Sequence, residues 1–270
     1  MSFELIFLGS GTSAGIPMIA CDCAVCTSDD PRDQRGRASV LIRYTQPGTS
    51  TVRDWLIDTS PEIRQQAVAQ KLMRLDGVLY THAHADHILG IDDLRRFNAA
   101  MQAPLDIYAE PAVHERLAQM FRYIFESHNN INPSFVATLV AHHVEPGVPM
   151  TLLGATWTPL RLMHGQLPIV GYRVDAQNKS LAYCTDVSHI PDETYPLLAD
   201  LDVLVIDALR YREHPTHLTV DQALEVIGRL SPGHAYLTHI AHDISHADLT
   251  ARLPENVSLA HDGLRVELAV

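Results

Sequence analysis

Thr81-His82-Ala83-His84-Ala85-Asp86-His87 follows directly on the apolar run Gly77-Val78-Leu79-Tyr80. That run is short, β-branched and aromatic, which predicts a buried strand, so the polar residues sit where a strand gives way to a turn. Alternation along extended backbone places His82 and His84 on one side. A turn after them returns Asp86 and His87 toward the same point, and two adjacent metal sites can then form. Three imidazoles and one carboxylate between His82 and His87 have the chemistry of a metal cradle. The plainer reading is a polar loop that is rich in histidine.

Bulk properties narrow the field. At 270 residues, with 46% hydrophobic and 19% charged residues, the chain is long enough for a sizeable core. No linker, repeat or low-complexity tract divides it, so residues 1–270 are read as a single domain. No apolar run approaches the roughly 18 residues that span a bilayer. Met1 to Gly11 has neither a basic start nor a cleavage-site pattern, which together predict a cytoplasmic protein without a membrane partner. A net charge of -12 repels nucleic acid backbones. A small anionic substrate is still compatible, because bound divalent ions leave a local positive field. Oligomeric state is not legible, although a homodimer is a common arrangement.

Phe3 to Leu8 reads as a strand that ends in Gly9-Ser10-Gly11-Thr12-Ser13-Ala14-Gly15. A dinucleotide fingerprint needs a helix to open at once after the glycines. Pro17 and a cysteine cluster follow instead, which excludes that reading. In the cluster, Cys21, Cys23 and Cys26 bring three thiolates within reach of one ion, and a closed structural zinc site wants a fourth ligand, Cys184 or a histidine. Free buried thiols are the plainer alternative.

Further strands are expected at Ser39–Tyr44 and Val52–Ile57. The second ends at Asp58-Thr59-Ser60-Pro61, where Ser60 is expected to cap a helix that Pro61 begins. Ile91 to Ala100 reads as helical, Leu105 to Tyr108 as a strand, and Pro111 to Phe121 as a helix. The aromatics of the segment from Phe121 to Phe135 are expected to pack, with a lid or dimer contact as the alternative. His114, His128, His142 and His143 receive no role. Strands follow at Thr158–Met163, Ile169–Val174, Ser180–Cys184 and Val203–Ile206. Then come a helix from Val220 introduced by Thr219, a strand at Ala235–Thr238 and a closing strand at Leu264–Leu268. Strands followed by helices in both halves suit an α/β sandwich.

HAHADH followed by Ile88-Leu89-Gly90 resembles the HxHxDHxxG signature of metallo-β-lactamase-like hydrolases. His164, Asp186 and His239, each after an apolar run, stand where that family places its later ligands. The resemblance implies a four-layer αβ/βα sandwich. It also implies that His82, His84 and His164 bind one divalent ion, that Asp86, His87 and His239 bind a second, and that Asp186 bridges them. Zinc or manganese, and less readily iron, suit such ligands, with a metal-bridging hydroxide as nucleophile. Asp58 is implied as the carboxylate that supports the first histidine motif, against an ordinary turn residue. His242 of His239-Ile240-Ala241-His242 is implied as the fourth ligand of the structural zinc.

CDCxxC, the GIDDLR segment, the HxxHL stretch and LTHIAH together most resemble the phosphoribosyl cyclic phosphate phosphodiesterases of the carbon-phosphorus lyase pathway. That branch implies cleavage of a small cyclic ribosyl phosphodiester, with His217 protonating the leaving oxygen and His214 as its competitor. The stretch from Ile91 to His143 departs from the branch and leaves the substrate open. Competing readings are a ribonuclease Z-like nuclease, a thioester or lactone hydrolase of glyoxalase type, a di-iron redox protein and a non-catalytic metal-binding protein.

Overall fold

A computed structural model of the chain describes residues 2–131 and 134–268. Fourteen strands run in chain order: β1 (Phe3–Gly9), β2 (Ser39–Thr45), β3 (Val52–Ile57), β4 (Gly77–Leu79), β5 (Leu105–Ala109), β6 (Leu139–His143), β7 (Met150–Leu152), β8 (Ala155–His164), β9 (Leu167–Ala176), β10 (Lys179–Cys184), β11 (Val203–Asp207), β12 (His234–Thr238), β13 (Val257–Leu259) and β14 (Arg265–Glu267). The α-helices are α1 (Ile63–Ala69), α2 (Ala85–Ile88), α3 (Arg95–Met101), α4 (Pro111–Met120), α5 (Arg122–Phe125), α6 (Val220–Leu230) and α7 (His246–Thr250).

The strands form two seven-stranded sheets, ordered β14-β1-β2-β3-β4-β5-β6 and β13-β12-β11-β10-β9-β8-β7. Within each, antiparallel neighbours give way to parallel ones: β3 to β6 are parallel in the first sheet and β10 to β13 in the second. Period-two alternation sorts the side chains. Leu5 and Phe7 of β1 face a core between the sheets with Trp157, Tyr172 and Val205. Ile6 and Leu8 face the opposite way, against α1 and α4 through Ile63 and Leu117. In β11, Val203 and Val205 join the central core, while Leu204 and Ile206 pack with Ala223 and Ile227 of α6. Both faces of these strands are buried, so they read as near-continuous apolar runs. The result is the expected four-layer sandwich of helices, sheet, sheet and helices.

Two polar tips inside the central core bond across the two sheets. Tyr172 Oη donates to the Tyr80 carbonyl at 2.8 Å, and Tyr44 Oη donates to the Leu152 carbonyl at 2.6 Å. These bonds fix how the sheets face each other, and with it the distance between the ends that carry the polar clusters. Thr219 and Gln222 close a capping box on α6.

Several expectations need correction. The helix assigned to Ser60 and Pro61 begins at Ile63 instead: Ser60 Oγ accepts from the Glu62 N–H at 3.2 Å and donates to Gln66 Oε1 at 2.8 Å, which makes Pro61 and Glu62 a turn. The stretch read as one helix from Ile91 is a 3-10 turn over Leu89–Leu94 followed by α3. His142 and His143 lie on β6, an edge strand that sequence reading missed; β7 and β13 were missed as well. In the aromatic segment Phe121 and Ile124 are buried in the helix-side core, which fits packing. Asn132 and Pro133 lie outside the described residues. Among the described residues no helix is long and apolar enough to cross a membrane.

Candidate active site

Six strands deliver the polar clusters at their carboxyl ends. Asp58 follows β3, the His82 to His87 motif follows β4, His164 closes β8, Asp186 lies just past β10, Asp207 closes β11 and His239 follows β12. Asp58, Asp186 and His239 have φ of 64°, 57° and 60°. A non-glycine residue rarely adopts this left-handed conformation, and strain of this kind concentrates at functional sites. Here it turns each chain sharply at the sheet's rim and aims the side chain inward.

His82, His84 and His164 each offer a ligand atom, and these atoms lie within 4.8 Å of one another; Asp86, His87, Asp186 and His239 form a second group on the same criterion. The groups adjoin, with the His82 and His87 ring centroids 4.3 Å apart. Asp186 reaches both. Its oxygens lie 3.3 Å from His87 Nε2 and 3.2 Å from His239 Nε2, and it also forms a three-residue cluster with His164 and His217. His84 is exposed and marks the open side.

Hydrogen bonds fix which ring nitrogen is free. Asp58 Oδ2 accepts from His87 Nδ1 at 2.7 Å and from Thr81 Oγ1 at 2.8 Å, and Asp58 Oδ1 accepts from the Thr81 N–H at 2.9 Å. Since the Thr81 hydroxyl spends its proton on Asp58, it accepts from His82 Nδ1 at 3.0 Å. His164 Nδ1 donates to the Thr216 carbonyl at 2.8 Å. Each of these imidazoles is thus held as the tautomer whose Nε2 lone pair points away from its support, the arrangement metal-binding histidines use. His82 Nε2, His87 Nε2 and both nitrogens of His239 are buried without a hydrogen-bond partner. Unpartnered buried nitrogens are costly unless something fills the gap, and divalent cations fit this donor set.

Electrostatics agree with a cationic occupant. Burial disfavours charge on His82 and, with neighbouring His87, holds it well below the usual imidazole value. Burial acts the same way on His87 and His239, yet Asp186 outweighs it in both, with Asp58 adding at His87 and Asp86 at His239. His87 is raised well above its usual value, and His239 is raised to about 9. The carboxylates of Asp86 and Asp186 are held down against their own burial by His239 and His87. The site is a pocket of anionic charge seeking positive charge, and bound cations would take that place from imidazole protons.

His217 stands beside both groups. Its ring centroid is 4.7 Å from His164 and 4.7 Å from His239, and its Nδ1 lies 2.6 Å from Asp207 Oδ2. Burial pushes the Asp207 carboxyl well up, and burial together with His239 pushes His217 down to about 3. The hydrogen bond to Asp207 engages Nδ1 and leaves His217 Nε2 outside the pair. His214 lies outside this pair, its ring 5.1 Å from His217 and its Nδ1 accepting from the Thr216 N–H at 3.3 Å.

Away from this site, the Sγ atoms of Cys21, Cys23 and Cys26 lie 3.2, 3.5 and 3.6 Å from His242 Nδ1. The fourth-ligand question left by the cysteines is answered by geometry in favour of His242, since Cys184 is buried elsewhere in the helix-side core. The Cys26 backbone N–H pulls the Cys23 thiol down to about 6, while burial pushes the Cys26 thiol up to about 11. Every residue expected at either site is brought to it. Sequence reading missed Asp207, Thr81 and the Thr216 carbonyl. Only Asp207 left a signal, as a carboxylate closing the apolar strand Val203-Leu204-Val205-Ile206.

Fold and clustered ligands define a metal-dependent hydrolase of the sandwich type. Residues 53–240 match the β-lactamase superfamily domain, and the chain belongs to that superfamily in its metallo-β-lactamase form. The crystal structure of a diphosphatase from the PhnP family is 40% identical, covers 99% of this chain and 98% of its own, and superposes with a TM-score of 0.88. An octanoyltransferase of Porphyromonas gingivalis is 39% identical over 96% of this chain but only 50% of its own length, so the chain spans half of that relative. Zinc-bound PqqB from Methylobacterium extorquens shares the fold at 21% identity, covering 98% of this chain and 100% of its own, with a TM-score of 0.76.

Proposed function

We propose that the chain is a binuclear metal-dependent phosphoric ester hydrolase acting on a small anionic phosphodiester or diphosphate. His82, His84 and His164 would hold one ion and Asp86, His87 and His239 the other, with Asp186 shared. Zinc or manganese suits this set, and a structural zinc belongs at Cys21, Cys23, Cys26 and His242. Ions bound here acidify water and polarise a phosphoryl oxygen.

The observation that carries the reading is His217 seated on Asp207 at 2.6 Å, beside both ligand groups. A hydrolase of thioesters needs no acid for its leaving thiolate. A phosphoester with an alkoxide leaving group does. His217 Nε2, protonated before the reaction, hands its proton to the departing oxygen, while Asp207 holds the ring in place and offsets the charge of its protonated form. Asp58, through His87 and Thr81, keeps the second and first ligand groups in register. A net charge of -12 argues against a polynucleotide substrate of ribonuclease Z type, and the 40% identical diphosphatase supports a small phosphorylated one.

Phosphorus NMR on ribosyl 1,2-cyclic phosphate, a dinucleoside diphosphate and an aryl diester tests this with metal-replete protein, beside His217→Ala. Cleavage that falls at least about a hundredfold in the variant supports the reading. The P. gingivalis relative's name adds one comparison, an octanoyl thioester. Turnover of the thioester without any phosphoester cleavage would overturn the proposal.

A further inference from the structure

The ligand histidines are not held alike. His82, His87 and His164 each have Nδ1 fixed by Thr81, Asp58 or the Thr216 carbonyl. His239 has neither ring nitrogen in a hydrogen bond, and its backbone sits at φ 60°. The ring stacks on His217 at 4.7 Å, but no hydrogen bond fixes which way its nitrogens face, so its direction leans on how the backbone around it is anchored.

That anchor comes from the other end of the chain. The Ile240 N–H donates to the Ser10 carbonyl at 3.0 Å, and the Thr12 N–H donates to the Ile240 carbonyl at 3.2 Å. Arg35, only 1% exposed, donates through Nη1 to the Ala241 carbonyl at 3.2 Å and through Nη2 to the Ile244 carbonyl at 2.9 Å. Its charge is met by Asp33 Oδ1 at 2.8 Å, and the same oxygen accepts from the His246 N–H at 2.8 Å. A buried arginine is tolerable only when its donors are matched. Here the acceptors are Asp33, the Arg32 carbonyl and, from the segment that follows His239, the carbonyls of Ala241 and Ile244.

We infer that Arg35, paired with Asp33, is the positioning residue for His239, so that the N-terminal loop sets how tightly the Asp86, His87 and His239 group holds its ion. The inference rests on His239 being an ion ligand, as proposed above. Arg35 contacts neither substrate nor ion. It acts through backbone carbonyls, whose partners are chosen by geometry and not by side-chain type.

Cadmium-113 NMR of the cadmium-loaded protein separates the sites, because thiolate-rich and nitrogen/oxygen-rich environments resonate far apart. In the wild type, two nitrogen/oxygen signals are expected beside one thiolate-rich signal. In Arg35→Met, one nitrogen/oxygen signal should disappear at a free cadmium level where the other nitrogen/oxygen signal persists, corresponding to at least about tenfold weaker binding. Arg35→Lys, which keeps the charge and can reach one carbonyl, should restore part of it. Asp33→Asn provides a second perturbation if Arg35→Met does not fold, with the same selective loss expected. Retention of both nitrogen/oxygen signals in the folded variants overturns the inference. Parallel loss of all three signals with no rescue by lysine also overturns it, since the arginine would then be serving the fold as a whole. A wild type with a single nitrogen/oxygen signal would instead overturn the two-ion reading on which the inference depends.

Discussion

Removing the proton carrier should hurt most where the leaving group is poorest. His217→Ala deletes an imidazole that is buried and fixed at 2.6 Å on Asp207, and positioned proton transfer accounts for roughly 10² to 10⁴ in rate. Asp207→Asn keeps shape and volume but exchanges a charge-assisted hydrogen bond for a neutral one. The two kinds differ by about 1 to 1.5 kcal/mol, close to tenfold in stabilisation of the protonated ring. The expected order is therefore a loss of kcat/KM of roughly a thousandfold for His217→Ala and of about ten- to thirtyfold for Asp207→Asn on an alkyl diester.

The double variant should be no worse than His217→Ala, because Asp207 acts only through the ring it holds. A p-nitrophenyl diester supplies the control. Nitrophenolate leaves without a proton, so on this substrate both variants should fall by less than about tenfold. Steady-state rates on paired alkyl and nitrophenyl diesters, at matched metal content, make the comparison. Equal losses on the two substrates would refute the proton-carrier role and leave His217 with a binding or structural one. So would a double variant whose loss is the product of the single losses.

Asp58→Asn should weaken metal binding about 10- to 100-fold in competition with a chromophoric chelator, because Asp58 Oδ2 holds both His87 Nδ1 and Thr81 Oγ1; unchanged affinity would contradict the tautomer argument. Cys23→Ser should lower metal stoichiometry by one ion and the thermal midpoint by at least about 5 °C, read by elemental analysis and calorimetry. Burial and the nearby Arg32 depress His246 to about 4, below its unfolded value of about 6.5. A depressed imidazole leaves stability intact above the unfolded value and erodes it as pH falls from there through the folded value. At pH 5 this loss is roughly 1 to 2 kcal/mol after allowance for solvent screening. His246→Gln should flatten the pH dependence of urea unfolding in that window, and an unchanged slope would count against it.

What could be read from the chain, and what could not, follows from where the information lies. The candidate metal ligands were legible because strand ends concentrate them: His82, His84, Asp86 and His87 are neighbours in sequence, and His164, Asp186 and His239 each follow an apolar run. Strand order was not legible, since strands buried on both faces, such as Val203-Leu204-Val205-Ile206, carry no alternation to say which neighbour they take. β6 was lost for the opposite reason: it lies at a sheet edge and is largely exposed, with two histidines at its end, so neither burial nor alternation marks it. Asp207 hides because a single aspartate at the end of a strand looks like any turn residue until the loop from Leu209 to Thr216 folds back and sets His217 against it. Arg35 is harder still. Two of its partners are the carbonyls of Ala241 and Ile244, groups every residue has, so no pattern of side chains could announce the contact. The ligands of a site are written in residue types. Much of what aims them is written in backbone, and a sequence shows that part only after it has folded.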